Sequence, residues 1–159
     1  MRHLKRQRGL TLIELLVAMV IGGVLMVAAA PSFQEYRLNS SLRENGNALY
    51  SQTLLAQSEA IKRNATVRVA IDDGVIQVQD ISDPDAPVLI RELAFTGGVS
   101  SDDASIDFGG EGRPLDFNAA SVDLSKSGHA CSTEVRCPGL RVDAGGAIRL
   151  CGDQTNCPT

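Results

Sequence analysis

Apolar residues dominate one continuous stretch near the start of the chain. Residues 10–30 are apolar apart from Thr11, Glu14 and two glycines. At a rise of 1.5 Å per residue, a helix of about twenty residues crosses the roughly 30 Å hydrocarbon core of a bilayer. We therefore predict a transmembrane helix over residues 10–30. A carboxylate near the centre of a bilayer costs about 2.5–3.5 kcal/mol, so Glu14 is expected to have a partner and a function.

Beyond this stretch, the apolar residues change to a helical stripe with polar residues between them. Residues 31–64 are predicted to continue the helix as an amphipathic half whose stripe packs on the rest of the protein. Pro31 removes one helical hydrogen bond and is predicted to bend the helix. Lys62 and Arg63 suit the negative end of the helix dipole, and Asn64 suits a C-cap. The stripe consists of Leu38, Leu42, Leu49, Ala56 and Ala60.

From residue 65 onward the apolar residues recur with a period of two, which is typical of strands. The sequence Asp-Asp-Gly at 72–74 separates two such runs and predicts a hairpin with an Asp-Gly turn. Residues 81–87 and 97–103 are rich in Asp, Pro, Gly and Ser and are predicted as loops and turns. Two further hairpins are expected, one around GGEGRP and one around Ala-Gly-Gly. The remaining strands are predicted over residues 88–95, 106–108, 115–117, 122–124, 140–143 and 147–151.

This order of elements predicts an α+β fold, in which a long N-terminal helix packs on an antiparallel β-sheet domain. A chain of 159 residues has room for one globular domain after such a helix. Phe95, Phe108 and Phe117 are expected to fill the core of the sheet. The predicted boundaries are 1–9 for a leader, 10–30 for the membrane helix, 31–64 for its amphipathic half and 65–159 for the β-rich domain.

The four cysteines all lie in the last thirty residues. Four cysteines allow three disulfide connectivities. The short spacing favours the local pairs Cys131–Cys137 and Cys151–Cys157, while a Cys137–Cys151 bridge across the intervening hairpin is also within reach. A zinc site is not expected, because the C-x5-C spacing is wider than the usual zinc knuckle. No cofactor is expected either. The chain is not predicted to be an enzyme, because it has only two histidines and no nucleophile or phosphate-loop motif.

The segment Arg8-Gly9-Leu10-Thr11-Leu12-Ile13-Glu14 resembles the prepilin peptidase site of type IV pilins and type II secretion pseudopilins. The resemblance implies a pilin fold, cleavage after Gly9 by prepilin peptidase, and methylation of the new amino group on Leu10. It also implies that Glu14 acts in assembly with other pilins through the N-terminal helix. The family usually has Phe as its first mature residue, and Leu10 departs from that pattern.

An ordinary secretory signal, with Ala28-Ala29-Ala30 as its cleavage site, and a plain single-span anchor are the alternatives for the N-terminal region. Neither accounts for Gly9, Glu14 and Pro31 together. Four Lys and Arg residues precede the span, which by the positive-inside rule places the rest of the protein outside the cytoplasm. The expected location is therefore the bacterial inner membrane, with the domain in the periplasm, and later a pilus or pseudopilus.

Residues 55–64, followed by Val67 and Val69, are similar to the end of the first helix in the GspH/FimT group of minor pilins and minor pseudopilins. This resemblance implies a minor subunit that primes or caps the assembly of a type IV pilus. One alternative is the corresponding minor pseudopilin of a type II secretion system. The other is a DNA-binding minor pilin for DNA uptake.

The charges disfavour the DNA alternative. Without residues 1–9 the chain keeps eleven Lys and Arg against nineteen Asp and Glu, a net charge of −8. DNA-binding members of the FimT type resemble one another in a C-terminal G-R-x-R motif, whereas this chain has Gly-Ala-Ile-Arg, so only Arg149 matches. The candidate DNA contacts Arg149, Arg141 and Arg136 lie among acidic residues, and we interpret them as solvated strand charges.

Overall fold

The computed structural model describes residues 11–157, apart from the side chain of Pro31. One helix, α1, spans Leu12–Arg63. The chain divides into two compact units between Tyr36 and Arg37, and α1 contributes to both. The eight strands that follow are β1 (Val67–Asp72), β2 (Val75–Asp80), β3 (Val88–Ala94), β4 (Val99–Ser101), β5 (Ala104–Phe108), β6 (Ala120–Lys126), β7 (Gly139–Val142) and β8 (Ile148–Cys151).

The first unit contains the apolar part of α1. Leu12–Ala30 is long and apolar enough to cross a membrane, and its residues are exposed. Helix α1 continues through Pro31. The bend that the sequence predicts at Pro31 stays a prediction.

The second unit contains the amphipathic part of α1. Leu42, Leu49, Ala56 and Ala60 are buried, and Leu38 is half-buried, which confirms the predicted stripe.

The C-terminus of α1 has the hydrogen bonds of a Schellman motif. Asn64 adopts a left-handed conformation with φ of 47°. The Ala65 N–H donates to the Ala60 carbonyl at 3.2 Å, and the Asn64 N–H donates to the Ile61 carbonyl at 3.3 Å. These bonds satisfy carbonyls that would otherwise have no partner at the helix end. The predicted C-cap at Asn64 is therefore confirmed.

The strands form two four-stranded antiparallel sheets, with strand orders β3-β2-β1-β5 and β4-β6-β7-β8. The first hairpin turns at Asp73 and Gly74, whose φ angles of 46° and 74° are those of a type I′ turn, as the Asp-Gly sequence predicted. Inward-facing residues of both sheets and the stripe of α1 join one core. The α+β fold is confirmed, with two sheets sharing the core.

Two local predictions are wrong. Residues 97–103 were predicted as a turn, yet β4 lies within them and pairs with β6. Residues 115–117 were predicted to pair with 106–108, but they form a short 3-10 turn, and β5 pairs with β1 instead. Asp116 and Phe117 have φ angles of 58° and 54°, which are incompatible with a strand. Phe108 at the end of β5 pairs with Val67 of β1, and its contact across the GGEGRP loop is a single isolated bridge to Pro114.

The predicted aromatic core is correct for one residue, partly so for a second and wrong for the third. Phe108 is fully buried, and Phe95 is partly buried against the core. Phe117 is 63% exposed. The Arg113 guanidinium lies 5.3 Å from the centre of the Phe117 ring, within the range of a cation–π contact. The left-handed turn thus directs this ring toward a surface cation.

Three amide side chains of α1 hold loops that follow distant strands, and we call Asn39, Asn45 and Gln57 the amide clamps. Asn45 is buried; its Oδ1 accepts from the Thr96 N–H at 2.9 Å, and its Nδ2 donates to the Thr96 carbonyl at 3.1 Å. It therefore pairs with Thr96 as a neighbouring strand would. The sequence pattern marked these positions only as polar.

The other two clamps act in the same way. Asn39 donates to the Glu134 carbonyl at 2.7 Å and accepts from the Arg136 N–H at 2.9 Å. Gln57 Nε2 donates to the carbonyls of Gly112 and Gly146, each at 2.7 Å. A Cβ at Gly146 would lie 2.5 Å from the Gly112 carbonyl oxygen, so glycine is required for the two loops to approach this closely.

The Asn45 clamp yields a stability prediction. Asn45→Ala should lower the free energy of unfolding of the soluble domain by about 1–3 kcal/mol, because both backbone groups of Thr96 lose their hydrogen bonds to Asn45. Asn47→Ala is the matched control: Asn47 is exposed on the same helix and makes no side-chain hydrogen bond among the described residues. Urea denaturation measures both, and equal effects of the two substitutions would contradict the clamp.

Candidate functional site

The N-terminus of α1 carries the first candidate site. Gly9 and Leu10, the predicted cleavage and methylation residues, lie outside the described residues. Glu14 lies in the first turn of α1 and is exposed. One of its carboxylate oxygens, Oε2, accepts from both the N–H and the Oγ1 of Thr11, each at 2.8 Å. The Glu14 N–H in turn donates to Thr11 Oγ1 at 3.3 Å.

This reciprocal arrangement is a capping box, with Thr11 as the N-cap and Glu14 three residues later. It satisfies backbone N–H groups that the first turn of a helix leaves without partners. In an apolar environment such groups are costly to leave unpaired. The sequence signal, Thr-x-x-Glu before an apolar run, was available and was missed. Glu14 therefore has a local partner, which adds to any role in assembly.

The candidate DNA contacts do not form one basic cluster. Arg141 and Arg149 are opposite each other on β7 and β8, and Ser121 of β6 continues their row. Arg141 Nη1 donates to Asp123 Oδ1 at 2.5 Å, and Arg149 Nη2 lies 3.5 Å from Asp143 Oδ2. Each guanidinium in this row is thus next to a carboxylate. A phosphate chain would have to compete with these carboxylates for the arginines.

Arg136 lies elsewhere, on a loop closed by a disulfide. The structure joins Cys131 to Cys137 and Cys151 to Cys157, which are the local pairs that spacing favoured. Cys137 is fully buried and contributes to the core. Asn39 holds the first disulfide loop through its bonds to Glu134 and Arg136. Across residues 11–157, no group of three or more metal-binding side chains comes together.

The two disulfide loops and one face of α1 enclose a groove of about 870 Å³. The helix contributes Asn39, Arg43 and Asn47, which are one turn apart. The first loop contributes Arg136 and the second Asp153. We call this space the loop groove. Sequence reasoning did not find it, because its walls come from segments that are about ninety residues apart in the chain.

Two carboxylates at the loop groove are already hydrogen-bonded. Bonds from the hydroxyls of Thr133 and Ser132 lower the pKa of Glu134. Bonds from the hydroxyl and the N–H of Thr155 lower the pKa of Asp153, with a smaller contribution from the nearby Arg136 charge. Both groups are therefore ionised at neutral pH and engaged with their own loops.

Comparisons with known proteins agree with this architecture. A family model described as the prokaryotic N-terminal methylation motif matches residues 4–30. A second, described as type II transport protein GspH, matches residues 45–155, which is more than half of the chain. No curated protein sequence matches the chain significantly.

Two solved structures are similar in fold, and both are of the type IV minor pilin FimU of Pseudomonas aeruginosa strain PAO1. The crystal structure in space group P21 has 14% sequence identity and a TM-score of 0.56, and the match covers 74% of this chain and 90% of FimU. The structure in space group P65 has the same identity and TM-score, covering 68% of this chain and 90% of FimU. The fold is thus the pilin fold of FimU.

The disulfides yield a second stability prediction. Replacing Cys151 and Cys157 together by serine should lower the free energy of unfolding by about 2 kcal/mol, because each bridge closes a short loop and restricts the unfolded chain. The same change at Cys131 and Cys137 should cost more, because Cys137 is also buried in the core. Urea denaturation measures both losses. Four free thiols in protein isolated from the periplasm would contradict the prediction.

Proposed function

This chain belongs to the family of type II transport protein GspH, and on that basis we propose that it works as a minor pilin of a type IV pilus. In this proposal it has a structural role, priming or capping filament assembly after its leader is removed. It is first held in the bacterial inner membrane by α1, with the domain in the periplasm, and then enters the filament. Its partners are other pilins, which it contacts through the N-terminal helix.

The observation that carries the proposal is the dual character of α1. One part of this helix, Leu12–Ala30, is exposed and is long and apolar enough to cross a bilayer. Another part contributes Leu42, Leu49, Ala56 and Ala60 to the core of the domain. An exposed apolar surface of this size needs lipid or the apolar helices of other subunits to cover it. A subunit that passes from membrane to filament meets both environments in turn.

We propose that processing prepares the helix for this transfer. Prepilin peptidase cuts after Gly9, and the new amino group of Leu10 is then methylated; the match of residues 4–30 to the methylation motif supports this step. The mature chain then begins with a positive charge directly before the Thr11–Glu14 capping box. Glu14 pairs with the amino group of a neighbouring subunit, because both charges are costly in lipid when alone.

The second candidate is a minor pseudopilin of a type II secretion system, and the description of the matching family favours it. The similarity in fold to a type IV minor pilin favours the pilus. Deleting the gene and counting surface pili, alongside an assay for secreted enzymes, separates the two machines. Loss of pili with normal secretion supports the pilus, and the opposite result supports the secretion system.

Substitutions at Glu14 and Thr11 test the assembly role. Glu14→Gln keeps an oxygen that can accept the capping bonds but removes the charge. It should leave membrane insertion and leader cleavage intact and reduce co-purification with partner pilins at least tenfold. Thr11→Ala, the matched control, removes the hydroxyl of the capping box but keeps the Glu14 charge, and it should retain partner capture. Unchanged capture by Glu14→Gln would contradict the proposed charge pairing.

DNA binding by the soluble domain should be weak, because the mature chain carries a net charge of −8 and Arg141 and Arg149 face carboxylates. A gel shift with duplex DNA at graded salt measures this. We expect no binding below about 1 μM at physiological salt, since non-specific protein–DNA affinities are roughly 10⁻⁴–10⁻⁶ M. Sub-micromolar binding that Arg149→Ala abolishes would establish the DNA-uptake alternative instead.

A further inference from the structure

The loop groove is lined by two arginines and two carboxylates. Arg43 and Arg136 are exposed, and neither forms an ion pair among the residues that the structure describes. The two carboxylates beside them, on Glu134 and Asp153, accept hydrogen bonds from their own loops. The charged groups of the groove that make no hydrogen bond among the described residues are therefore the two guanidiniums, and each can bind a carboxylate of a partner through a fork of N–H donors.

The backbone of Arg136 is held in place, which matters for selective binding. Its backbone N–H donates to Asn39 Oδ1, and Arg43 lies one turn further along the same helix face. The Cys131–Cys137 bridge closes the loop that carries Arg136. The two arginines thus project from elements that are tied to each other, so less ordering is needed when a partner binds.

The wall between the arginines offers peptide-like groups. β8 is the edge strand of its sheet and pairs only with β7 within the described part of the chain. Leu150 and Cys151 of this strand line the groove, as do the amides of Asn47 and Asn156. An unpaired strand edge is a template for an extended peptide, whose main chain it can bind.

We propose that the loop groove binds an acidic, extended segment of a neighbouring pilin-like subunit. Arg43 and Arg136 bind its carboxylates, and the free edge of β8 binds its main chain. The inference rests on the proposed function for the nature of the neighbour. It adds a contact made by the outer domain to the contacts made by the N-terminal helix.

Nucleic acid fits the same surface less well. A phosphate chain is held by several clustered Lys and Arg residues. Among the described residues, the groove has only two cationic side chains, those of Arg43 and Arg136. A peptide with one or two carboxylates needs no more than two guanidiniums. Its main chain can also pair with the free edge of β8, which a nucleic acid cannot do.

The test uses the full chain in its own cells, with a photo-crosslinking amino acid in place of Asn47. We expect a crosslink to an acidic segment of a pilin-like subunit, identified by mass spectrometry of the joined peptides. The double substitution R43E/R136E should reduce this crosslink at least tenfold. Arg91→Glu is the matched control, because Arg91 is an exposed arginine on β3 and does not line the groove. It should leave the crosslink unchanged.

Reversing the charge of the crosslinked acidic residue should restore the contact in the R43E/R136E chain, which excludes misfolding as the cause of its loss. Failure of this rescue, or a crosslink that R43E/R136E does not weaken, overturns the inference. So does a duplex DNA gel shift that depends on Arg43 and Arg136.

A second crosslinker at Ala18, within the span, separates this inference from the proposed function. A crosslink to a pilin-like subunit from Ala18 but none from Asn47 leaves the assembly role standing and refutes the groove contact. No such crosslink from either position contradicts both.

Discussion

The hydrogen bonds between amide side chains of α1 and the backbone of distant loops are the interaction on which the domain depends. Apolar burial alone would hold the sheets on the helix, but it is non-directional and leaves the loops free to shift. Asn45 binds both backbone groups of Thr96, and Asn39 binds the loop around Glu134 and Arg136. These bonds are directional and join segments that are distant in the chain, so they select one arrangement of the loops.

This arrangement determines what the outer domain presents. The clamp at Asn39 fixes the first disulfide loop beside α1, and the second disulfide restrains the loop after β8. Together they form the loop groove and set the positions of Arg43 and Arg136 along it. The span Leu12–Ala30 of α1 is different in character, because its exposed residues are apolar apart from Glu14, whose side chain caps the first turn together with Thr11. One helix thus provides a surface for lipid or other helices and a scaffold for polar recognition.

The sequence was sufficient where local chemistry decides structure. The Asp-Gly turn, the helix end at Asn64 and the stripe from Leu42 to Ala60 follow from dihedral preferences and periodicity. It was insufficient where partners are distant in the chain. Thr96 lies 51 residues from Asn45, and Arg136 lies 97 residues from Asn39, so no periodicity could reveal either bond. Phe117 was misplaced because composition marks it as core, while the left-handed turn that exposes it has no glycine to signal it.

The candidate functional residues also fall into two groups, those that a local motif indicates and those that only the fold brings together. Gly9, Leu10 and Glu14 belong to one short motif, and their roles in cleavage, methylation and assembly stay predictions from that motif. The capping bond between Thr11 and Glu14 was overlooked. Spacing favoured the local disulfides without deciding among connectivities. The loop groove required the fold, because nothing distinguishes Arg43 and Arg136 from other surface arginines until α1 and the disulfide loop stand side by side.

Hydrogen exchange of the soluble domain, followed by NMR, tests the clamps most directly. In the native protein the amide hydrogens of Thr96 and Arg136 should exchange more slowly than those of exposed loop residues without a hydrogen bond, because each donates to an amide oxygen of α1. Asn45→Ala should remove the protection of Thr96 and leave that of Arg136, while Asn39→Ala should do the reverse. Rapid exchange at both positions in the unmodified protein would contradict the account.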